Sequence, residues 1–204
     1  LTTVTAEGRV EPALALSWTR TGPRSWAFIL RRDVAFSNGE PFDAAAVVAA
    51  ISYLTSAAAR IEPAARELES LESARALDSH TVEIITRGPN PVLDRELAAL
   101  RIPAPKAWAE LGPDGFARAP AGTGPYRAVR WESQKISLEA QPGAFRKARM
   151  PRLELLAIPD AAGRFQALLA GQADVALGLS PELKAAIEAG GARLEPGGRG
   201  VVYI

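Results

Sequence analysis

Apolar positions along the chain fall into two periods, and the switch between them marks the elements. In Trp26-Ala27-Phe28-Ile29-Leu30 successive side chains alternate between the faces of a strand, and apolar residues at every position predict burial on both faces. Ser37-Asn38-Gly39 then predicts a tight reversal, because Asn-Gly tolerates positive φ. Asp43 stands where an N-cap belongs, and Val47, Val48, Ile51 and Leu54 form one stripe of a helix over 44–54. A short helix over 63–68 leads to a hairpin, 71–77 and 81–86, turning at Asp78-Ser79. Asn90-Pro91 pairs a capping residue with a first-turn proline and predicts a helix running through Leu100. A further short helix is expected over 106–111, and the Gly, Pro and Ala content of 112–122 predicts a loop that divides two subdomains.

Beyond that loop the order changes. Residues 126–131 and 136–140 predict a hairpin, and 153–158 an apolar strand. Asp160 caps a helix carrying Phe165, Leu168 and Leu169, which Gly171 closes at C′. A strand over 174–177 follows, then a helix opened by Ser180-Pro181 and closed by Gly190-Gly191, with strands over 192–195 and 201–204. Strand and helix in alternation predict an α/β layer, so the fold class is α/β with mixed α+β character.

Composition narrows the chemistry. The 204 residues are 48% hydrophobic and 23% charged, an ordinary globular balance that excludes disorder. With 24 basic and 23 acidic residues the formal charge is +1, so no global field selects nucleic acid or an anionic membrane. Zero cysteines exclude disulfides, thiolate zinc sites and cysteine nucleophiles, and the one histidine, His80, excludes multi-histidine metal sites. The apolar run over 44–51 is too short to span a bilayer, and any export signal is expected to lie outside these residues.

No catalytic constellation emerges. Gly122-Thr123-Gly124-Pro125 lacks the third glycine of a dinucleotide fingerprint and reads as a packed turn. His80 lies in the polar turn Asp78-Ser79-His80, and Glu62, Glu67, Glu69 and Glu72 match neither a calcium loop nor a zinc-protease helix. Arg31 and Arg32 face opposite ways on a strand and cannot share one ligand. Trp18, Trp26, Trp108 and Trp131 are expected in the core. No catalytic residue, metal ligand or cofactor is therefore predicted, and binding is favoured over chemistry.

The order of segments carries more information. Gly8 to Ala15 with Ser17-Trp18, then 26–36 with Asn38-Gly39-Glu40-Pro41-Phe42, resembles the signature of the family 5 extracellular solute-binding proteins of ABC importers. Four further landmarks follow in that family's order: 78–86 with Pro89-Asn90-Pro91, Gly122-Thr123-Gly124-Pro125-Tyr126, Ile158-Pro159-Asp160-Ala161, and Leu169-Ala170-Gly171-Gln172-Ala173-Asp174. Ala46 stands where family members usually carry an acid, and Ala144-Phe145 where they carry Tyr-Trp.

The resemblance implies a non-catalytic role: a periplasmic binding protein-like fold, class II cluster C type, of which these residues supply the first lobe only. It implies that 1–121 is the extra α+β subdomain of that lobe and 122–204 part of its core α/β subdomain, ending near the interlobe hinge. It further implies a small-molecule or peptide ligand, ABC permease subunits in the inner membrane as partners, no nucleic acid, a monomer, and a periplasmic or lipid-anchored extracellular location. Arg199 and Tyr203, near the expected hinge, are the candidate ligand contacts. The alternative is the same fold as the ligand sensor of a transcriptional regulator.

Overall fold

The structure, a computed structural model, describes residues 1–194. They form two compact units: Leu1–Trp131 with Ser137–Leu153, and Glu132–Ile136 with the chain from Glu154 onward.

The first unit is built on a four-stranded antiparallel sheet. Its strands are β3 (Ala15–Arg20), β4 (Ser25–Leu30), β5 (Leu71–Asp78) and β6 (Thr81–Thr86), in the order β3-β4-β6-β5. Two short strands, β1 (Thr2–Val4) and β2 (Val10–Pro12), pair beside it as a separate ribbon. The β4 and β6 register sets Trp26 opposite Ile84 and Phe28 opposite Val82, and all four are buried. The other face differs from expectation: Ile29 is 51% exposed and Ala27 only partly buried. An antiparallel sheet needs only one covered face, and α1 (Ala44–Leu54) packs on this sheet with Val47 and Ile51 fully buried in the same core. Val48 and Leu54 flank that core, as the stripe predicts.

Capping follows the sequence closely at α1. The Asp43 carboxylate accepts from Ala46 N–H at 3.0 Å, and Ala46 itself is buried, so an acid there would need a buried partner. The Asn38-Gly39 reversal forms, with Gly39 N–H donating to Phe36 C=O at 2.9 Å and Ala35 bridging Pro41.

The segment after Asn90 departs from the expected long helix. The Asn90 side chain accepts from Val92 N–H at 3.0 Å, an Asx turn that holds back the first helical turn, and α3 covers only Leu93–Glu96. Bonds from Ala98, Ala99 and Leu100 to the carbonyls three residues earlier carry the chain onward as tight turns. Leu93, Leu97 and Leu100 are still buried, so the apolar spacing does its packing without a regular helix.

The expected loop over 112–122 is partly helical. Helix α4 (Pro105–Arg118) breaks at Gly112, whose φ of 64° and ψ of 178° suit glycine, and Pro113 starts a second helical segment. Across the break Trp108 meets Phe116 edge-on at 5.2 Å, and Tyr53 from α1 at 4.9 Å.

The residue before α4, Ala104, offers no side-chain cap. Glu40 supplies one from 66 positions away: its carboxylate accepts from Lys106 N–H at 2.9 Å and from Ala107 N–H at 3.0 Å. Asn38 Nδ2 holds the carboxylate at 2.6 Å. Burial acts to raise the Glu40 pKa, but the hydrogen bonds from Lys106, Asn38 and Ala107 and the Lys106 charge together hold it below the ordinary 4.5. A depressed carboxyl pKa means stability that is present above the ordinary value and lost as pH falls through the folded one. Glu40→Gln is expected to lower stability at pH 7 by about 1 kcal/mol, the scale of a lost cap. Urea melts from pH 7 downward should show the two proteins converging below the ordinary carboxyl pKa of 4.5. A gap that stays constant down to acid pH would mean that the charge contributes nothing.

β7 (Tyr126–Trp131), β8 (Lys135–Ala140) and β9 (Arg152–Leu156) form a three-stranded sheet in that order. Trp131 is 50% exposed rather than in the core, because it ends its strand at the turn to β8. Within the first unit Phe145 packs against the core, with the Arg31 guanidinium 5.1 Å from its ring centre.

The second unit carries α5 (Ala161–Leu169) and α6 (Lys184–Ala189). Asp160 caps α5 by accepting from Gly163 N–H at 2.6 Å. Gly171 N–H bonds to Leu168 C=O and Gln172 N–H to Ala167 C=O, the paired closure of a Schellman motif, with Gly171 at φ 66°. α6 closes in the same way, from Gly191 to Glu188 and from Ala192 to Ile187. A β-carbon on Gly190 would lie 2.4 Å from Leu169 Cδ2, so this glycine sets how closely α6 approaches the end of α5.

Two expected strands are absent from the described part of this unit. Residues 174–177 are irregular, and the carbonyls of Leu177 and of Gly178 after it are taken by the Arg164 guanidinium instead of a strand neighbour. Residues 192–194 are also irregular, and the strand over 201–204 lies outside the described residues. The apolar strand expected over 153–158 forms as β9, with Leu155 and Leu156 40% and 43% exposed. β9 is the edge of its sheet, with a neighbour on one side only among the described residues.

Candidate functional site

A cavity of about 690 Å³ opens in the first unit, where the end of α1 meets the chain leading into β5. A 3₁₀ turn (Ala58–Ile61) and α2 (Pro63–Glu67) frame it. Pro63 at the first position of α2 fixes the helix start. Arg60 comes from the 3₁₀ turn, Arg66 from α2, Arg87 from the end of β6 and Glu96 from α3.

Polar groups are distributed unevenly around it. The Glu96 carboxylate accepts from Ser70 Oγ at 2.5 Å and from Asn90 Nδ2 at 2.9 Å. Arg87 Nε donates to Glu69 C=O at 3.2 Å. The Arg60 and Arg66 guanidinium groups have no hydrogen-bond or ion-pair partner among the described residues, and the buried Ser56 hydroxyl has none either. The cavity can therefore offer cationic donors to a ligand.

Most residues singled out by sequence do structural work. His80 N–H donates to Asp78 Oδ1 at 2.7 Å, so the aspartate serves the turn backbone and not the imidazole. That bond from His80 and others from Thr81 lower the Asp78 pKa. Arg31 Nε donates to Ala13 C=O at 2.6 Å, which ties β4 to the chain before β3. Glu72 pairs with Arg24, while Glu67 and Glu69 line the cavity. Among the described residues no group of three or more His, Asp or Glu could hold a metal. No helix among them is long and apolar enough to cross a membrane.

The Gly122-Thr123-Gly124-Pro125 turn requires a correction. The expected packed turn is open at both glycines: β-carbons at Gly122 and Gly124 would meet no described atom within 4 Å. The turn is instead fixed by its backbone: Ser37 N–H donates to Gly122 C=O and Gln141 N–H to Pro125 C=O. It thereby joins the Asn38-Gly39 turn to the segment after β8. Arg199 and Tyr203 lie outside the described residues.

Two residues escaped sequence reasoning. Glu40 was readable only as part of a turn, since its partners are remote in sequence. Arg164 binds four backbone carbonyls, those of Ile158, Pro159, Leu177 and Gly178, at 2.8 to 3.3 Å. Its place one turn into a capped helix beginning Ile158-Pro159-Asp160 is the signal that could have found it.

The antiparallel sheet covered by α1, followed by the second sheet and the helices α5 and α6, makes up a periplasmic binding protein-like α/β fold. An ABC transporter substrate-binding protein from Sinorhizobium meliloti shares it, with a TM-score of 0.79 and 28% identity over 94% of this chain and 41% of that one. Residues 9–203 match the family described as bacterial extracellular solute-binding proteins, family 5 Middle, and the chain belongs to that family. It is 32% identical over 180 residues to the nickel-binding periplasmic protein of Escherichia coli (strain K12), across 85% of this chain and 34% of that protein. It is also 27% identical over 163 residues to the HTH-type transcriptional regulator SgrR of Pectobacterium atrosepticum, across 78% of this chain and 28% of the regulator. The chain thus spans about a third of the curated relatives it matches.

Proposed function

We propose that this chain forms the first-lobe portion of the substrate-binding component of a bacterial ABC importer. It captures an oligopeptide or similar small solute outside the inner membrane and delivers it to the permease by hinge closure. The observation that carries the reading is the family match over residues 9–203. On this reading 1–121 is the extra α+β subdomain and 122–204 part of the core α/β subdomain, with Arg199 and Tyr203 as ligand contacts. The protein acts as a periplasmic or lipid-anchored monomer, binds no nucleic acid and performs no catalysis. Closure would be a population shift, driven by contacts that exist only when both lobes meet the solute.

The test is a melting-temperature screen of the full-length protein against peptides, nickel chelates and opines. A saturable rise with one class is expected, of the size that binding to the folded state alone produces. No rise with any class would overturn the reading. Similarity to SgrR favours a second reading, a ligand-sensing domain of a regulator. Cell fractionation separates the two: export supports the receptor, and a cytoplasmic protein that shifts DNA in a gel supports the regulator.

A further inference from the structure

We infer that the cavity between α1, α2 and β5 binds a small, doubly charged oxyanion through Arg60, Arg66 and Arg87. The inference concerns this chain's own first unit and stands apart from the importer reading.

Three observations carry it. The volume, about 690 Å³, is in the range of small-molecule sites. Arg60, Arg66 and Arg87 share its wall, and the guanidinium groups of the first two make no hydrogen bond or ion pair with any described residue. Like charges gathered without partners oppose folding, and a bound anion removes that repulsion. Arg87 uses Nε on Glu69 C=O, which leaves its two terminal nitrogens as donors. Guanidinium forks match the paired oxygens of carboxylate and phosphate, which is why the ligand class is an oxyanion.

The third observation is Ser56, whose buried hydroxyl lacks any partner while its residue lines the same cavity. Its O–H can rotate about the Cβ–Oγ bond to donate to a ligand oxygen, which supplies the missing bond. The carboxylates on the wall are Glu67, Glu69 and Glu96. Glu96 is already engaged by Ser70 and Asn90 and is held in place. The Glu67 and Glu69 carboxylates form no ion pair with the three arginines and oppose the anion, which keeps the expected affinity moderate.

Calorimetric titration of the full-length protein with inorganic phosphate and, separately, with succinate at constant ionic strength tests the inference. Saturable binding of at least one is expected, with Kd below about 1 mM. The arm that saturates identifies phosphate or carboxylate chemistry. R60Q/R66Q should weaken binding at least tenfold and S56A at least threefold, with circular dichroism unchanged. If the double variant does not fold, R66Q and S56A are measured singly. Failure of both anions to saturate, or affinity unchanged in the folded variants, would overturn the inference.

Discussion

Phe28→Ala is expected to remove about 3–5 kcal/mol of stability, the range for deleting a buried aromatic ring from a packed core. Phe28 is fully buried at the centre of the first unit's sheet, between Trp18 and Trp26, whose ring centres lie 6.2 and 6.4 Å away. It also sits opposite Val82 on β6 and Trp18 on β3, so its loss opens a void that three neighbours border. Backbone pairing on both sides of β4 limits how far the sheet can collapse into that void. Phe28→Leu should lose much less, because most of the volume remains. Urea unfolding of the full-length protein checks both, and a loss below about 1 kcal/mol for alanine would mean that the sheet collapses freely around the site.

Arg164→Ala is expected to destabilise the second unit by about 2–4 kcal/mol, since it removes charge-assisted bonds to four carbonyls at once. Part of the loss is recovered by water, because the guanidinium is not fully buried. The bonds join the segment that starts α5 to the irregular segment at Leu177-Gly178, which has no ladder partner among the described residues. Hydrogen exchange should therefore speed up across 174–180 and around Gly163 while the first unit's sheet stays protected. Arg164→Lys should restore less than half the loss, as one ammonium cannot span carbonyls on two segments in a fixed fork. Uniform protection in the alanine variant would show that other contacts hold the segment.

Local signals were the legible ones. Asp43, Asp160, Gly171 and Gly191 act within a few residues of themselves, and each performs the predicted cap or closure. Asn90 carried two local options, an N-cap or an Asx turn, and composition could not rank them; the side chain chose the turn. Periodicity located Phe28 and Ile29 on opposite faces but could not say that one face would be left to solvent, since Ile29 is as apolar as its neighbours. The cavity was not legible at all. Arg60, Arg66, Arg87 and Ser56 are spread over 32 positions and meet only through tertiary folding, and none belongs to a motif that identified the family.

The remote cap on α4 bears on the order in which the first unit assembles. Glu40 and Lys106 are 66 residues apart, and closing so long a loop has little to reward it until α1, β5 and β6, which lie between them, have joined the sheet. The cap then belongs to the native side of the folding barrier. Its effect falls on how slowly the finished unit comes apart, and hardly on how fast it forms.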